Sequence, residues 1–302
     1  MINVPVLLIA YNRPDTALQV FEQIRKARPA KFYFAVDGPK DASGLDNILK
    51  VRQLKGLVDW PCEVHSLFRE KNFGCGHGPA EAISWAFENE EKLIVLEDDC
   101  VASLSFFTFC EEMLNKYAND ERVTIISGRS HHEGTKFFHN HDYIFSHYAH
   151  TWGWATWKRS WSQFDLYMKD FPSWLSVGGA FNVFATNKEG IYYNKWFKLM
   201  YDHIEDEVKH TWDGQWMYAF LKNGGLGVIP CYNLIHCIGV GNGTHNGVEC
   251  LTTRREMPEL LRHPKFIIAQ SEYESLHFKS HINPHYNIIK RIVNKINQIW
   301  GL

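Results

Sequence analysis

The chain has 302 residues, with Lys plus Arg 32 against Asp plus Glu 34 and a formal net charge of -2. A balance that close excludes coating nucleic acid through a broad basic face, and 45% hydrophobic with 22% charged residues excludes a disordered chain. Rings are in excess, with 11 Trp, 13 Tyr and 20 Phe; they serve as core filler or as the floor of a sugar site, and position has to decide between the two. The cysteines, Cys62 through Cys250, form no CxxC pair. That argues against a secreted disulfide framework or a thiolate zinc site and for a cytoplasmic protein. Val4–Ala10 reads as a buried strand rather than a signal peptide, and no run approaches the ~20 apolar residues of a membrane span.

In chain order, Val6–Ala10 is the first predicted strand, followed by a helix over Thr16–Lys26 with Ala17, Val20, Phe21 and Ile24 at helical spacing. Lys31–Val36 is a strand ending at Asp37, Leu45–Leu57 is helical, and Cys62–Phe68 is a third strand. A helix over Pro79–Asn89 precedes a strand over Leu93–Leu96, which ends in Glu97-Asp98-Asp99. This alternation predicts an α/β fold with a mostly parallel central sheet flanked by helices. Ligands of such sheets bind at the carboxyl ends of strands, where Tyr11-Asn12-Arg13, Asp37 and the acidic triplet fall.

Three consecutive carboxylates at the end of an apolar strand are costly unless a cation neutralises them. Strand alternation predicts Glu97 and Asp99 on one face and Asp98 on the other, which suits a hard divalent ion holding a diphosphate. The alternative is a solvated acidic turn capping a helix that starts near Ser103. Ser105–Tyr117 then reads as that helix, Val123–Ser127 as a strand, and residues 130–150 as a polar, His-rich stretch. His131, His132, His139, His141, His147 and His150 include only one close pair of the H-x-H kind and no Cys, so they read as an acceptor-side loop rather than a zinc site.

The segments PVLLIAYNRP, AVDGPK, NFGCGHGPAEAISWAF, LIVLEDDC and HTWGWATW, in this order over about residues 4–250, resemble bacterial GT-A-fold glycosyltransferases, the nucleotide-diphospho-sugar transferases related to family 2. The order is also similar to N-acetylglucosaminyltransferase I. The resemblance implies that Ala10, Tyr11 and Arg13 hold the donor nucleotide and that Asp37 contacts the base. It places Asn72 and Gly74 in the stretch flanking the donor. It makes Asp99 the direct ligand of a divalent cation, Mn2+ or Mg2+, with Asp98 and His245 as further candidate ligands. Glu97 and Asp98 would contact ribose, sugar or metal-bound water. Glu-Asp-Asp replaces a strict Asp-x-Asp, as in N-acetylglucosaminyltransferase I.

Residues 152–216 hold eight of the 11 tryptophans. In Thr151-Trp152-Gly153-Trp154, an extended chain would put Trp152 and Trp154 on one face, with Gly153 permitting close approach. An indole face suits the C–H face of a sugar, and core packing is the competing use. The family resemblance sets this motif, with His150, beside donor and acceptor. Asp213, between Trp212 and Trp216, is the candidate base, because attack by an acceptor hydroxyl needs a carboxylate to take its proton. It is also a candidate helix N-cap. The segment resembles the family's Trp-Asp-Asp-Trp, with Gly214 in place of the second acid; Glu205-Asp206-Glu207 is the runner-up. Gly239–Gly247 reads as a glycine-rich lid carrying His245 toward the diphosphate or metal. Residues 286–300 form a basic amphipathic helix suited to a membrane surface, to the domain itself or to another subunit.

These features predict one domain over residues 1–250, a donor half to about 128 and an acceptor half beyond it, with an extension over 251–302. The predicted activity is metal-dependent transfer of a sugar from a nucleotide-diphosphate donor, UDP-linked, to a glycan or lipid-linked acceptor, with no nucleic-acid partner. Inversion at the anomeric carbon is implied by the resemblance. The alternatives are a nucleotidyltransferase and an inactive sugar-binding module of the same fold. The nucleotidyltransferase would carry a Gly-rich, basic phosphate loop, which Tyr11-Asn12-Arg13-Pro14 is not.

Overall fold

A computed structural model describes residues 1–134, 136–204, 211–239 and 253–283. Its strands are β1 (Val6–Ala10), β2 (Lys31–Val36), β3 (Glu63–Phe68), β4 (Lys92–Glu97), β5 (Cys100–Ala102), β6 (Val123–Ser127), β7 (Tyr143–Ser146), β8 (Trp154–Trp157), β9 (Leu226–Pro230) and β10 (Ile235–Cys237). Its α-helices are α1 (Pro14–Ala27), α2 (Leu45–Gln53), α3 (Gly74–Phe87), α4 (Leu104–Lys116), α5 (Lys158–Trp161), α6 (Phe171–Ser176), α7 (Asn187–Asp202), α8 (Asp213–Leu221) and α9 (Ser271–His277).

Eight strands form one sheet in the order β3-β2-β1-β4-β8-β6-β9-β7, and β10 pairs with β5 beside it. Pairing is parallel across β3-β2-β1-β4 and between β6 and β9; β8 and β7 run against their neighbours. The expected α/β class, a mostly parallel sheet flanked by helices, is the one observed. Leu7, Leu8, Phe34, Ile94 and Val95 are fully buried. Continuous apolar runs of this kind are what a sheet covered on both faces requires, and each such side chain contributes about 1.5–3 kcal/mol. Strand order reverses between β1 and β4, and crevices at such reversals take ligands.

The predicted strands and helices of the first 127 residues are present, and only one start is displaced by more than two residues. The third long helix begins at Gly74 and carries Pro79 inside it, at its sixth residue, where proline removes one i→i−4 hydrogen bond from the helix. β7, inside the His-rich stretch, and α7 were not predicted. Thr186 and Glu189 form a reciprocal capping box at the start of α7, a T-x-x-E signal legible in the sequence.

Residues 253–283 lie back against the sheet. Arg262 pairs with the buried Asp142, and Gln270 N donates to Phe145 O at 2.9 Å. The acid that caps α4 comes from this segment. Leu104 N and Ser105 N donate to Glu256 at 3.2 and 2.8 Å, so the acidic triplet is not that cap. Burial would raise the Glu256 carboxyl, but the bonds from Ser105 and Leu104 hold it below the usual range. Glu256→Gln is expected to cost ~0.5–1 kcal/mol above pH 5, discounted for exposure, and nothing once acid protonates Glu256 in both states. Urea unfolding at two pH values measures this, and a pH-independent cost would remove the cap.

Candidate active site

The turn from β1 into α1 builds the centre of the site. Pro14 at the first helical position fixes where α1 starts, and Tyr11 and Arg13 are thereby held over the end of β4. Tyr11 N donates to Asp98 Oδ2 at 3.1 Å. Arg13 Nη2 donates to Asp98 Oδ1 and, at 3.0 Å, to Asp99 Oδ2. The expected separation of Asp98 from Asp99 is not observed. β4 stops at Glu97 and the chain turns at Asp98-Asp99 into β5, so alternation lapses and Arg13 gathers both acids. Asp98, 4% exposed, is the most enclosed of the three.

One guanidinium faces an excess of carboxylates. Burial, then the charges of Asp99, Asp98 and Asp213, push Glu97 up to about 8, against the pull of Arg13. Arg13 Nη1 is buried with no hydrogen-bond partner among the described residues. Excess oxygen donors fit a hard divalent cation, and an unpartnered guanidinium N–H fits an anion beside it. Ile238 N donates to Asp99 O at 2.8 Å. Gly239 then crosses Asp99 so closely that a Cβ would run into the carboxylate. Gly239, the first residue of the predicted lid, therefore lies against Asp99, and the rest of that segment, His245 included, lies outside the described residues.

The end of β2 sets the neighbouring wall. Asp37 accepts from Gly38 N at 2.9 Å and Phe73 N at 3.0 Å, and Arg69 stands 4.0 Å away. Burial nevertheless raises its carboxyl above the ordinary value. Asn72 donates to Gly38 O at 2.9 Å and accepts from Gly74 N at 3.1 Å, which clamps the start of α3 to the end of β2. Ala10 has a buried side chain and meets this region through its carbonyl, which accepts from Asp37 N at 3.0 Å. Arg69, which bonds Gly78 O and Glu81, was not singled out in the sequence.

A cavity of about 210 Å³ is lined among others by His150, Trp152, Tyr192, Trp196, Asp213 and Met217, and Asp213 links it to the acids by its charge on Glu97. Trp152 is half-buried, with the Arg129 guanidinium 4.7 Å from its ring centre. Trp154, expected to share a sugar-facing surface with Trp152, is fully buried instead. Gly153 adopts φ +62, and a Cβ there would run into Ile235; this turn separates the two indoles. Trp154 stacks on Trp212 at 5.6 Å and packs on Trp161 and Trp216, so its faces are core. Most of the ring excess is spent in this cluster and its neighbours.

Asp213 is the first residue of α8 and lines the cavity. The N-cap is Trp212, so Asp213 is not the cap, and it is exposed among the described residues rather than enclosed. Gly214 packs on Met200, whose sulfur any Cβ there would strike. A second acid at that position would require the Met200 side chain to move aside. Tyr192 and Trp196 of α7 were missed in the sequence, although their four-residue spacing on a capped helix is a visible signal. The runner-up acids 205–207 and the amphipathic segment 286–300 lie outside the described residues. No helix among the described residues is long and apolar enough to cross a membrane.

The chain matches no protein-family profile and no curated protein sequence. Solved structures similar in part include a mannosyltransferase from Pyrobaculum calidifontis in complex with GDP-Man and Mn2+, at 13% identity and TM-score 0.39 over 54% of this chain and 47% of that one. S. aureus TarS 1-349 matches at 8% identity and TM-score 0.37, over 54% of this chain and 50% of that chain. A UDP-glucose pyrophosphorylase complexed with UDP-glucose matches at 10% identity and TM-score 0.32, over 54% and 79%. The chain thus spans about half the length of the first two.

Proposed function

We propose that the protein is a metal-dependent, inverting glycosyltransferase that moves a sugar from a nucleotide-diphosphate donor, UDP-linked, to a hydroxyl of a glycan or glycolipid. One observation carries the reading: Arg13, Glu97, Asp98 and Asp99 converge at the strand-order reversal, and Asp213 is near enough to raise Glu97 while lining an aromatic cavity. Donor and acceptor halves then meet at one place.

In this reading Asp99 and Asp98 hold Mn2+ or Mg2+, which when bound stabilises charge on the departing diphosphate. Arg13, whose Nη1 lacks a partner among the described residues, faces a phosphate oxygen. Asp37, Asn72 and Gly74 shape the nucleotide wall. Trp152 and Trp196 flank the acceptor, and His150 stands at its edge. Asp213 takes the hydroxyl proton as the acceptor oxygen bonds to the anomeric carbon and the bond to the diphosphate breaks on the opposite face.

Calorimetry with UDP, with and without Mn2+, tests the donor site. Binding is expected to need Mn2+ and to weaken at least about tenfold in Asp99→Asn. Equal affinity without the metal would end the metal role, and no nucleotide binding would end the reading. Release of nucleotide diphosphate across UDP-, GDP- and dTDP-sugars then identifies the donor. Pyrophosphate formation from a nucleoside triphosphate and a sugar phosphate would point instead to nucleotidyl transfer.

A further inference from the structure

Histidines far apart in sequence meet behind the cavity wall. His131 and His132 lie in the loop after β6, His150 lies before Trp152, His277 ends α9, and His281 lies in the π-helical turn Phe278–Ile282. The His131 ring centre is 4.4 Å from His150, 5.0 Å from His277 and 4.2 Å from His281. His277 and His281 stand four residues apart with centres 5.0 Å apart and planes within 5°. Ligand atoms of His132, His277 and His281 all lie within 4.8 Å of one another, the one such group of His, Cys, Asp or Glu found among the described residues.

Packing does not account for this cluster. Nε2 of His131, Nε2 of His132 and Nδ1 of His277 are buried without a hydrogen-bond partner, and His277 is 0% exposed. Each such nitrogen costs about 1–3 kcal/mol, and native interiors rarely leave several together. Burial lowers His132 to about 4 and His150 to about 3, with the Arg129 charge adding to the effect at His150. Neutral imidazole is the form that ligates metals.

We propose that His132, His277 and His281 bind a divalent transition-metal ion, zinc foremost, at a site separate from the acids at the end of β4. Imidazole nitrogen is a suitable donor for zinc, and three protein ligands leave a fourth position for water. Zn–N bonds of ~2.0–2.1 Å put ligand nitrogens no more than ~4.2 Å apart, so small ring rotations complete the set. His150 Nε2 lies 3.2 Å from His277 Nε2 and orients that ring, as partners of metal-bound histidines do. The ion would staple the loop after β6 to the C-terminal segment. His150 and Ile282, both cavity-lining, would be fixed with it.

Untagged full-length protein, stripped with EDTA, is titrated with zinc by calorimetry, and metal retained after gel filtration is measured by mass spectrometry. Equimolar zinc and a raised melting temperature are expected. The double variant His132→Asn, His281→Asn alters two half-buried rings and should bind zinc at least about tenfold more weakly, with metal-free melting unchanged. Asp99→Asn should keep the zinc, which separates this site from the proposed donor site. Absence of zinc binding in the natural sequence, or natural affinity in the double variant, would overturn the proposal. If the double variant does not fold, protection from diethyl pyrocarbonate decides. Zinc-dependent protection of His132 and His281 supports the site, and unprotected rings refute it.

Discussion

Asp213→Asn is expected to lower turnover of sugar transfer by about 10²–10⁴-fold, the range a positioned general base contributes, with UDP affinity unchanged. The substitution keeps the shape of the side chain and removes its capacity to accept a proton. Position is the reason for expecting so large an effect. Asp213 opens α8, and the residues around it are locked: Trp212 and Trp216 are buried against Trp154, and Gly214 lies flush on Met200. A carboxylate on a helix so anchored is held in one place relative to the cavity, and catalysis depends on positioning of that kind. Single-turnover transfer with the identified donor measures the loss, and near-UV circular dichroism of the tryptophan cluster checks that packing survives. Transfer at the normal rate would remove Asp213 from the chemistry.

The donor half was legible because its signals are local. Apolar runs of five or six residues give the strands, helical spacing gives α1 and α4, and polar residues at strand ends mark the crevice. The turn at Asp98-Asp99 was not legible, since alternation extrapolated from β4 cannot show where the strand stops. The ring-rich half was read less well for a related reason. Trp152 and Trp154 look equivalent in sequence, yet the positive φ of Gly153 sends one toward the cavity and the other into the core. The histidines failed by distance: His131 and His132 look like part of a polar loop until α9 brings His277 and His281 beside them. Glu256 on the N-terminus of α4 is the same kind of contact, made across about 150 residues.

Metal-free protein is expected to lose stability as pH rises from about 4.5 to about 8, and Glu97→Gln should flatten that slope. The Glu97 carboxyl moves from an ordinary 4.5 to about 8 on folding, driven by burial and then by Asp99, Asp98 and Asp213. Between those values the unfolded chain has released the proton and the folded chain keeps it. Stability therefore falls across this window and falls no further from this group above it. One pKa unit corresponds to about 1.4 kcal/mol, so a shift from 4.5 to about 8 is on the order of 5 kcal/mol, many degrees in melting temperature. Gln keeps the neutral shape, so the variant should be the more stable protein at pH 8 and no more stable at pH 4. A divalent cation at Asp98 and Asp99 should favour the ionised carboxylates and offset the loss, so Mn2+ is expected to raise the melting temperature more at pH 8 than at pH 5. Scanning calorimetry over that range, with and without Mn2+, tests both halves. Equal pH slopes in the two proteins would mean that Glu97 is ionised in the folded protein. A proton held at Glu97 in the absence of metal and released when metal binds would couple loading of the acidic site to pH.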